Sequence, residues 1–169
     1  MATGQLTLPV VPGPALVVGP VFVCFEIEGK PGHKGRHRSR IVFPRGGKAF
    51  IHNYPDPATE AYERIVAQAG RLFMRGRAPT TRPVALLVHA FREIPASWSR
   101  HDREMAMAGA ILPVSRPDQD NSIKVVQDAL NKIIWHDDAQ VCDGRCIKRY
   151  SARPALRIEV REFVDPIVG

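Results

Sequence analysis

Five aspartates, Asp118, Asp120, Asp128, Asp137 and Asp138, fall between residues 116 and 141 of a chain whose net charge is +7. Carboxylates crowded together repel one another, so their gathering asks for a physical reason. Pro117 biases Arg116 toward extended backbone. Asp118 and Asp120 are therefore expected at i and i+2 on one face of a strand end, with Gln119 turned away. Asp120 then stands at the entrance of a helix, where free N–H groups and the helix dipole favour negative charge. Asp137 and Asp138 follow that helix, and one of them can fold back toward the first pair. Such a group suits a hard divalent cation, Mg2+ or Mn2+. A bound ion of this kind lowers the pKa of a coordinated water and polarises a phosphoryl oxygen. Simpler roles satisfy the same residues one at a time. An aspartate at a helix start is a common N-cap, an Asp-Asp pair can be a solvated loop, and Asp128 can pair at i+4 with Lys124 or Lys132. Spacing leaves both readings open.

The cations are as unevenly placed as the anions. No acidic residue lies between Glu28 and Asp56, whereas Lys30, Lys34, Arg36, Arg38, Arg40, Arg45 and Lys48 all do. An uninterrupted basic run repels itself unless an anion sits nearby, and nucleic acid fits best, since each neutralised phosphate releases a counterion. A solvated surface loop is the plain alternative. With nucleic acid as partner the charges divide the work: basic loops hold a phosphodiester backbone and the acidic cluster carries the metal that cuts it. His33 and His37 add charge to the loop when protonated. His136, beside the Asp-Asp pair, is a ligand, a proton shuttle or an ordinary loop histidine. Trp98 and Trp135 can stack on an unpaired base, though Trp135, at the apolar end of a helix, suits the core better. Arg71, Arg75 and Arg82 extend the basic surface or coat a helix.

The elements that must position these residues follow from periodicity. At 169 residues and 44% hydrophobic content, the chain is expected to form one domain with a real core. Residues 21–29, rich in β-branched and aromatic side chains, read as a strand. A hairpin follows, turning at Gly46-Gly47. Tyr62, Ile65, Val66, Ala69, Leu72 and Phe73 recur at helical spacing between Pro57 and Gly76. Residues 82–93 form an apolar run of strand length, suited to a buried central strand. A weaker helix lies near residues 96–110. A clear one starts near Asn121, with Ile123, Val126, Leu130 and Ile133 as its apolar stripe. Two closing strands, residues 139–150 and 155–163, are expected on either side of a turn at residues 151–154. This order argues for an α+β fold: a single mixed β-sheet with helices packed on it.

No apolar run is long enough to cross a membrane. The N-terminus lacks the basic start of a signal peptide, so a cytoplasmic setting is expected. Three cysteines imply no disulfide framework. In one continuous strand Cys142 and Cys146 stand about 13 Å apart and share neither a bond nor an ion, whereas a turn at Asp143-Gly144 brings them together.

The stretch "RPDQDNSIKVVQDALNKIIWHDDAQV" resembles the signature of the RusA family of Holliday-junction resolvases. In that family an Asp-x-Asp-Asn element opens a helix, a lysine follows one turn later, and an Asp-Asp-Ala/Ser-Gln-Val element comes after the helix. The upstream "GKPGHKGRHR" is similar to the Gly-x-Pro-x-x-Lys-x-Arg-Pro-Arg element of phage-type members, and "IKRY" to their Lys-x-Tyr. His37 replaces a common proline, and residues 1–20 form a longer N-terminal extension or edge segment. The likeness spans residues 20–163 and is most specific from Pro117 to Val141. It implies a homodimeric, Mg2+-dependent endonuclease acting on branched DNA, with no organic cofactor. Carried over by position, Asp118, Asp120 and Asp138 are the metal-binding carboxylates and Lys124 the basic residue beside them, at the scissile phosphate. Asp137 matches a less critical acidic position. Lys34, Arg36 and Arg38 are expected to grip backbone phosphates, with Lys148 a further candidate. A two-fold dimer matches the two-fold character of a four-way junction. The rival expectation is a non-catalytic binder of branched DNA that keeps the fold.

Overall fold

The structure, a computed structural model, describes residues 17–35, 38–54 and 56–164. Among them the element order is β1 (Val17–Glu28), β2 (Arg38–Val42), β3 (Phe50–Tyr54), α1 (Pro57–Met74), β4 (Val84–Glu93), α2 (Arg100–Met107), α3 (Gln119–Leu130), a 3-10 turn (Asp138–Gln140), β5 (Val141–Ser151) and β6 (Ala155–Val164). The fold is α+β: a mixed four-stranded sheet in the order β1-β6-β4-β5, with a separate β2-β3 ribbon.

Strand β4 lies between two neighbours because its side chains can be covered on both faces. Val84, Leu86, Val88 and Ala90 are buried, while the residues between them are half-buried. It pairs antiparallel with β6 and parallel with β5. Strand β1 takes the outer edge and begins at Val17, earlier than its composition suggests. Pro20 is tolerated there because an edge strand can forgo a ladder hydrogen bond, and the pairing shifts register between Val18 and Val23. Gly19 is required at that edge: a Cβ would stand 2.9 Å from the Glu162 carbonyl oxygen.

The two closing strands are not partners. β5 and β6 are consecutive, yet β4 lies between them, so the link at residues 152–154 spans two strand spacings, roughly 10 Å. The ten-residue apolar strand gains more from two neighbours than from an edge, and the short link permits it. Within β5 the Asp143-Gly144 pair stays in strand conformation instead of turning. A register shift between Val84 and Ala85 of its partner falls opposite Cys142. Cys142 is exposed, Cys146 is buried, and both are free thiols.

Helices α1 and α3 pack together against the sheet. Helix α1 starts where Asp56 Oδ2 accepts the Thr59 N–H at 3.2 Å, and stops where Arg75 turns left-handed at φ 51° ahead of Gly76 at φ 78°. Its buried line is Val66, Gly70 and Met74, whereas Ile65 and Leu72 of the expected stripe are exposed. Gly70 lets the helices approach, since a Cβ would lie 2.6 Å from Leu130 Cδ2. Helix α3 begins at Gln119, ahead of the expected Asn121, and buries Ser122, Val125, Val126, Ala129 and Leu130. Ile133 lies beyond its end, in a turn that Lys132 enters at φ 65° and that delivers Trp135 fully into the core.

Candidate active site at the start of α3

The first acidic pair sits on a helix end and not on a strand end. Asp118 is the N-cap of α3 and Asp120 lies in its first turn. The earlier helix start accounts for this: the Asp118 carbonyl accepts both the Ser122 N–H and its hydroxyl, each at 3.2 Å. The Asp118 carboxylate makes no capping hydrogen bond, so the residue has the backbone of a cap without its side-chain function. Both carboxylates are exposed at the positive end of the helix.

What holds this end in place lies in the sheet. Arg92 donates from Nη1 to the carbonyls of Ser115 at 3.1 Å and Arg116 at 2.7 Å, and to the Ser115 hydroxyl at 2.9 Å. Lys148 Nζ donates to the carbonyls of Ser115 at 3.1 Å and Pro117 at 3.2 Å. Two cations from neighbouring strands thus grip the backbone leading into Asp118. Sequence reasoning missed Arg92; a cation at the end of an otherwise apolar strand was the available signal. With Lys30, Glu93 and Pro117 these residues line a cleft of about 200 Å³. Three cations and one carboxylate face it, and Pro117, the residue before Asp118, forms part of its wall.

The second acidic element is built differently. Asp137 Oδ1 accepts the Ala139 N–H at 2.9 Å. That bond, ahead of the nearby Lys132 charge, holds the Asp137 carboxyl below the usual range. Gln140 fastens the turn: its Oε1 accepts the N–H groups of His136 and Asp137 at 2.9 Å each, and its Nε2 donates to the carbonyls of Thr80 at 3.0 Å and Arg82 at 2.9 Å. Gln140 stands in the acidic motif, but nothing local reveals that the two carbonyls it holds lie 60 and 58 residues upstream. Asp137 is therefore occupied in shaping the turn, and Asp138 is the one that reaches the helix. Lys124 Nζ pairs with Asp138 Oδ2 at 3.2 Å and with Asp128 Oδ1 at 3.0 Å.

The chain of charges continues past Asp128, whose Oδ2 receives Lys34 Nζ at 2.6 Å while Glu63 Oε1 receives it at 2.7 Å. The Lys34 N–H also donates to the Asn121 carbonyl at 3.1 Å, so the basic loop is tied to the first turn of α3 by backbone and side chain. Asp128 is thus more than an i+4 partner. Hydrogen bonds to Asp128, then Asp138, hold the Lys124 pKa above the ordinary lysine value. Partial burial works to lower the Lys34 pKa, but its bonds to Asp128 and Glu63 outweigh that and raise it. For Asp128, burial alone would raise the carboxyl, and the two lysines overcome it and lower it. Lys124 is therefore a permanent cation near neutral pH, suited to meet an anion and not to act as a base.

Among the described residues no three His, Cys, Asp or Glu side chains form a group that could hold an ion. The structure brings Asp138 to Lys124, in the helix that Asp118 caps. Of the residues expected to grip phosphate, Lys34 is engaged with two carboxylates and Lys148 with two carbonyls. Arg36 lies outside the described residues, and of Arg38 only its place in β2 is described. His136 is exposed beside the turn. Trp98 packs edge-on against Tyr150 with ring centroids 5.0 Å apart.

Exposed aspartates have the donor chemistry a divalent ion takes: Asp118 and Asp120 are exposed, the Asp118 carboxylate is not used for capping, and Asp138 pairs with Lys124. The chain is 35% identical over 142 residues to the uncharacterized protein YqaN of Bacillus subtilis (strain 168), an alignment covering 83% of this chain and 96% of that protein. Residues 28–161 match the family described as endodeoxyribonuclease RusA. The match takes in the basic loop, both acidic elements and strands β4 and β5, and the chain belongs to the RusA family of endodeoxyribonucleases.

Proposed function

We propose that this nuclease is a Mg2+-dependent, structure-selective endodeoxyribonuclease that works as a homodimer on Holliday junctions and other branched DNA. Asp118, Asp120 and Asp138 would hold the divalent ion, with Mn2+ an acceptable substitute. When bound, that ion supplies an activated water and charge neutralisation at the phosphoryl group. Lys124, kept cationic by its carboxylate partners, is placed to exchange Asp138 or Asp128 for the scissile phosphate and to stabilise charge developing on it. The Lys30, Arg92 and Lys148 cleft next to Asp118 suits a neighbouring backbone phosphate, while Arg36, Arg38 and Lys34 extend the cationic path. A two-fold dimer would present two such sites to a two-fold junction. Recombination, repair and phage genome processing all produce substrates of this kind.

The observation that carries the reading is the Lys124 to Asp138 contact, which ties the helix that Asp118 caps to the Asp137-Asp138 turn across fourteen residues of sequence. The second reading is a binder of branched DNA without catalysis. It is favoured by the absence, among the described residues, of a three-ligand group. A labelled four-way junction incubated with Mg2+ separates the two. Cleavage by the wild type, with none by Asp120→Asn and none of a paired duplex, supports the enzyme. Tight junction binding with no product in any lane supports the binder.

A further inference from the structure

Apart from Arg38 at its start, the β2-β3 ribbon takes no part in the site described above. It is a two-stranded antiparallel sheet paired with no strand of the main sheet, and such ribbons rarely stand alone in water. Strand register places Phe50, His52 and Tyr54 at i, i+2 and i+4, on one face. The rings form a row: Phe50 and His52 have centroids 6.5 Å apart, and His52 and Tyr54 4.2 Å apart. Opposite them, Arg40 pairs with His52 and Val42 with Phe50. The row is open to solvent, with Phe50 49% and Tyr54 42% exposed, and Phe43 at the turn is 79% exposed. Residues 38–54 contain four cations, Arg38, Arg40, Arg45 and Lys48, and no anion.

Exposed rings carried on a purely cationic ribbon need a partner that offers flat apolar faces and negative charge together. Unpaired nucleotides do: each base has a face to stack and each linkage a phosphate. A paired duplex hides the first and offers only the second. We propose that the Phe50, His52 and Tyr54 face is a stacking platform for unpaired nucleotides of the DNA substrate, with Arg40 beside it for their phosphates. The platform rests on the reading of this chain as a nuclease of branched DNA, and supplies a way to recognise strands that have left the duplex.

The test is fluorescence anisotropy of the full chain, in EDTA, with labelled oligo(dT), a blunt duplex of equal length and a four-way junction. Phe50→Ala/Tyr54→Ala should bind oligo(dT) about tenfold more weakly and the duplex within twofold of wild type. The salt slope should be unchanged, because no cation is lost. Phe50→Tyr/Tyr54→Phe, which keeps both rings, should bind oligo(dT) as wild type does. If the alanine pair fails to fold, Tyr54→Leu alone should still show a severalfold loss confined to oligo(dT). Equal loss on duplex and oligo(dT), or no loss on oligo(dT), overturns the platform. So does an alanine pair that elutes at half the wild-type size with unaltered oligo(dT) affinity, since the face then joins two copies of this chain. Normal junction binding with an unaffected alanine pair removes the platform and leaves the nuclease reading standing. A wild type that binds none of the three DNAs removes both.

Discussion

The turn at residues 137–140 and the ribbon at residues 38–54 are both short and exposed, yet they are built on opposite plans. In the turn, one glutamine satisfies four backbone groups from two distant segments, and Asp138 inherits a fixed position. In the ribbon, large apolar and aromatic side chains face solvent and, among the described residues, the strands pair only with each other. On the proposed function, the difference follows from what each region would meet. A carboxylate that shares an ion must be held to within a fraction of an ångström, so its backbone is anchored on every side. A surface for a flexible polymer gains from reach and exposure, with order supplied on binding.

If that contrast is right, the largest effect belongs to the anchored side. Asp120→Asn should lower junction cleavage by a factor on the order of a thousand while leaving affinity in EDTA within severalfold of wild type; an active Asp120→Asn would dissolve the distinction. Gln140→Leu should come next. It strips hydrogen bonds from four backbone groups and should cost about 1–3 kcal/mol. The readout is a lower urea midpoint at constant slope, with cleavage falling further than junction binding. Arg92→Ala tests the second anchor, and should reduce cleavage at saturating DNA more than it weakens binding, because it frees the backbone before Asp118.

A smaller effect is expected from the charge chain. Asp128→Asn should cost on the order of 1 kcal/mol once solvent screening is allowed for. Asp128 has its folded pKa below the ordinary 3.8, so its contribution is present above that value and fades as pH falls through the lowered one. Lys34 and Lys124 are raised above 10.5, so theirs is complete below that value and fades as pH rises through the raised ones. The urea-midpoint gap between wild type and Asp128→Asn should therefore be flat from about pH 5 to 9 and close in acid. A gap that persisted at pH 2 would mean that packing, and not charge, is what the variant lost. The smallest effect belongs to the ribbon. Arg40→Ala should leave the midpoint within about 0.5 kcal/mol and flatten the salt dependence of DNA binding by roughly one unit of slope.

Much of this molecule is legible along the chain because much of it is local. Helix α1 announces itself by Pro57, a 3.6-residue period and Gly76, and β4 by its apolar run; these signals act within a few residues of their cause. The acidic motif is likewise local, and its resemblance to the RusA signature identifies the family before any coordinates. Local pattern went astray at Asp118, where Pro117 argued for strand and the Ser122 bonds to the Asp118 carbonyl started the helix sooner. It could not choose between Asp137 and Asp138 on geometry, because that choice depends on which carboxylate the turn consumes.

By itself, then, the sequence determined the elements, the charge segregation and the identity of the acidic residues, since propensity, capping and motif spacing operate over a turn or two of chain. Only the tertiary structure decided that β4 would part β5 from β6, that Lys34 would spend its charge on Asp128 and Glu63, and that Arg92, Lys148 and Gln140 would hold the loops carrying Asp118 and Asp138. Those outcomes rest on backbone carbonyls and N–H groups, which every residue offers alike. Which of them a side chain finds is set by what the folded sheet brings within about 3 Å.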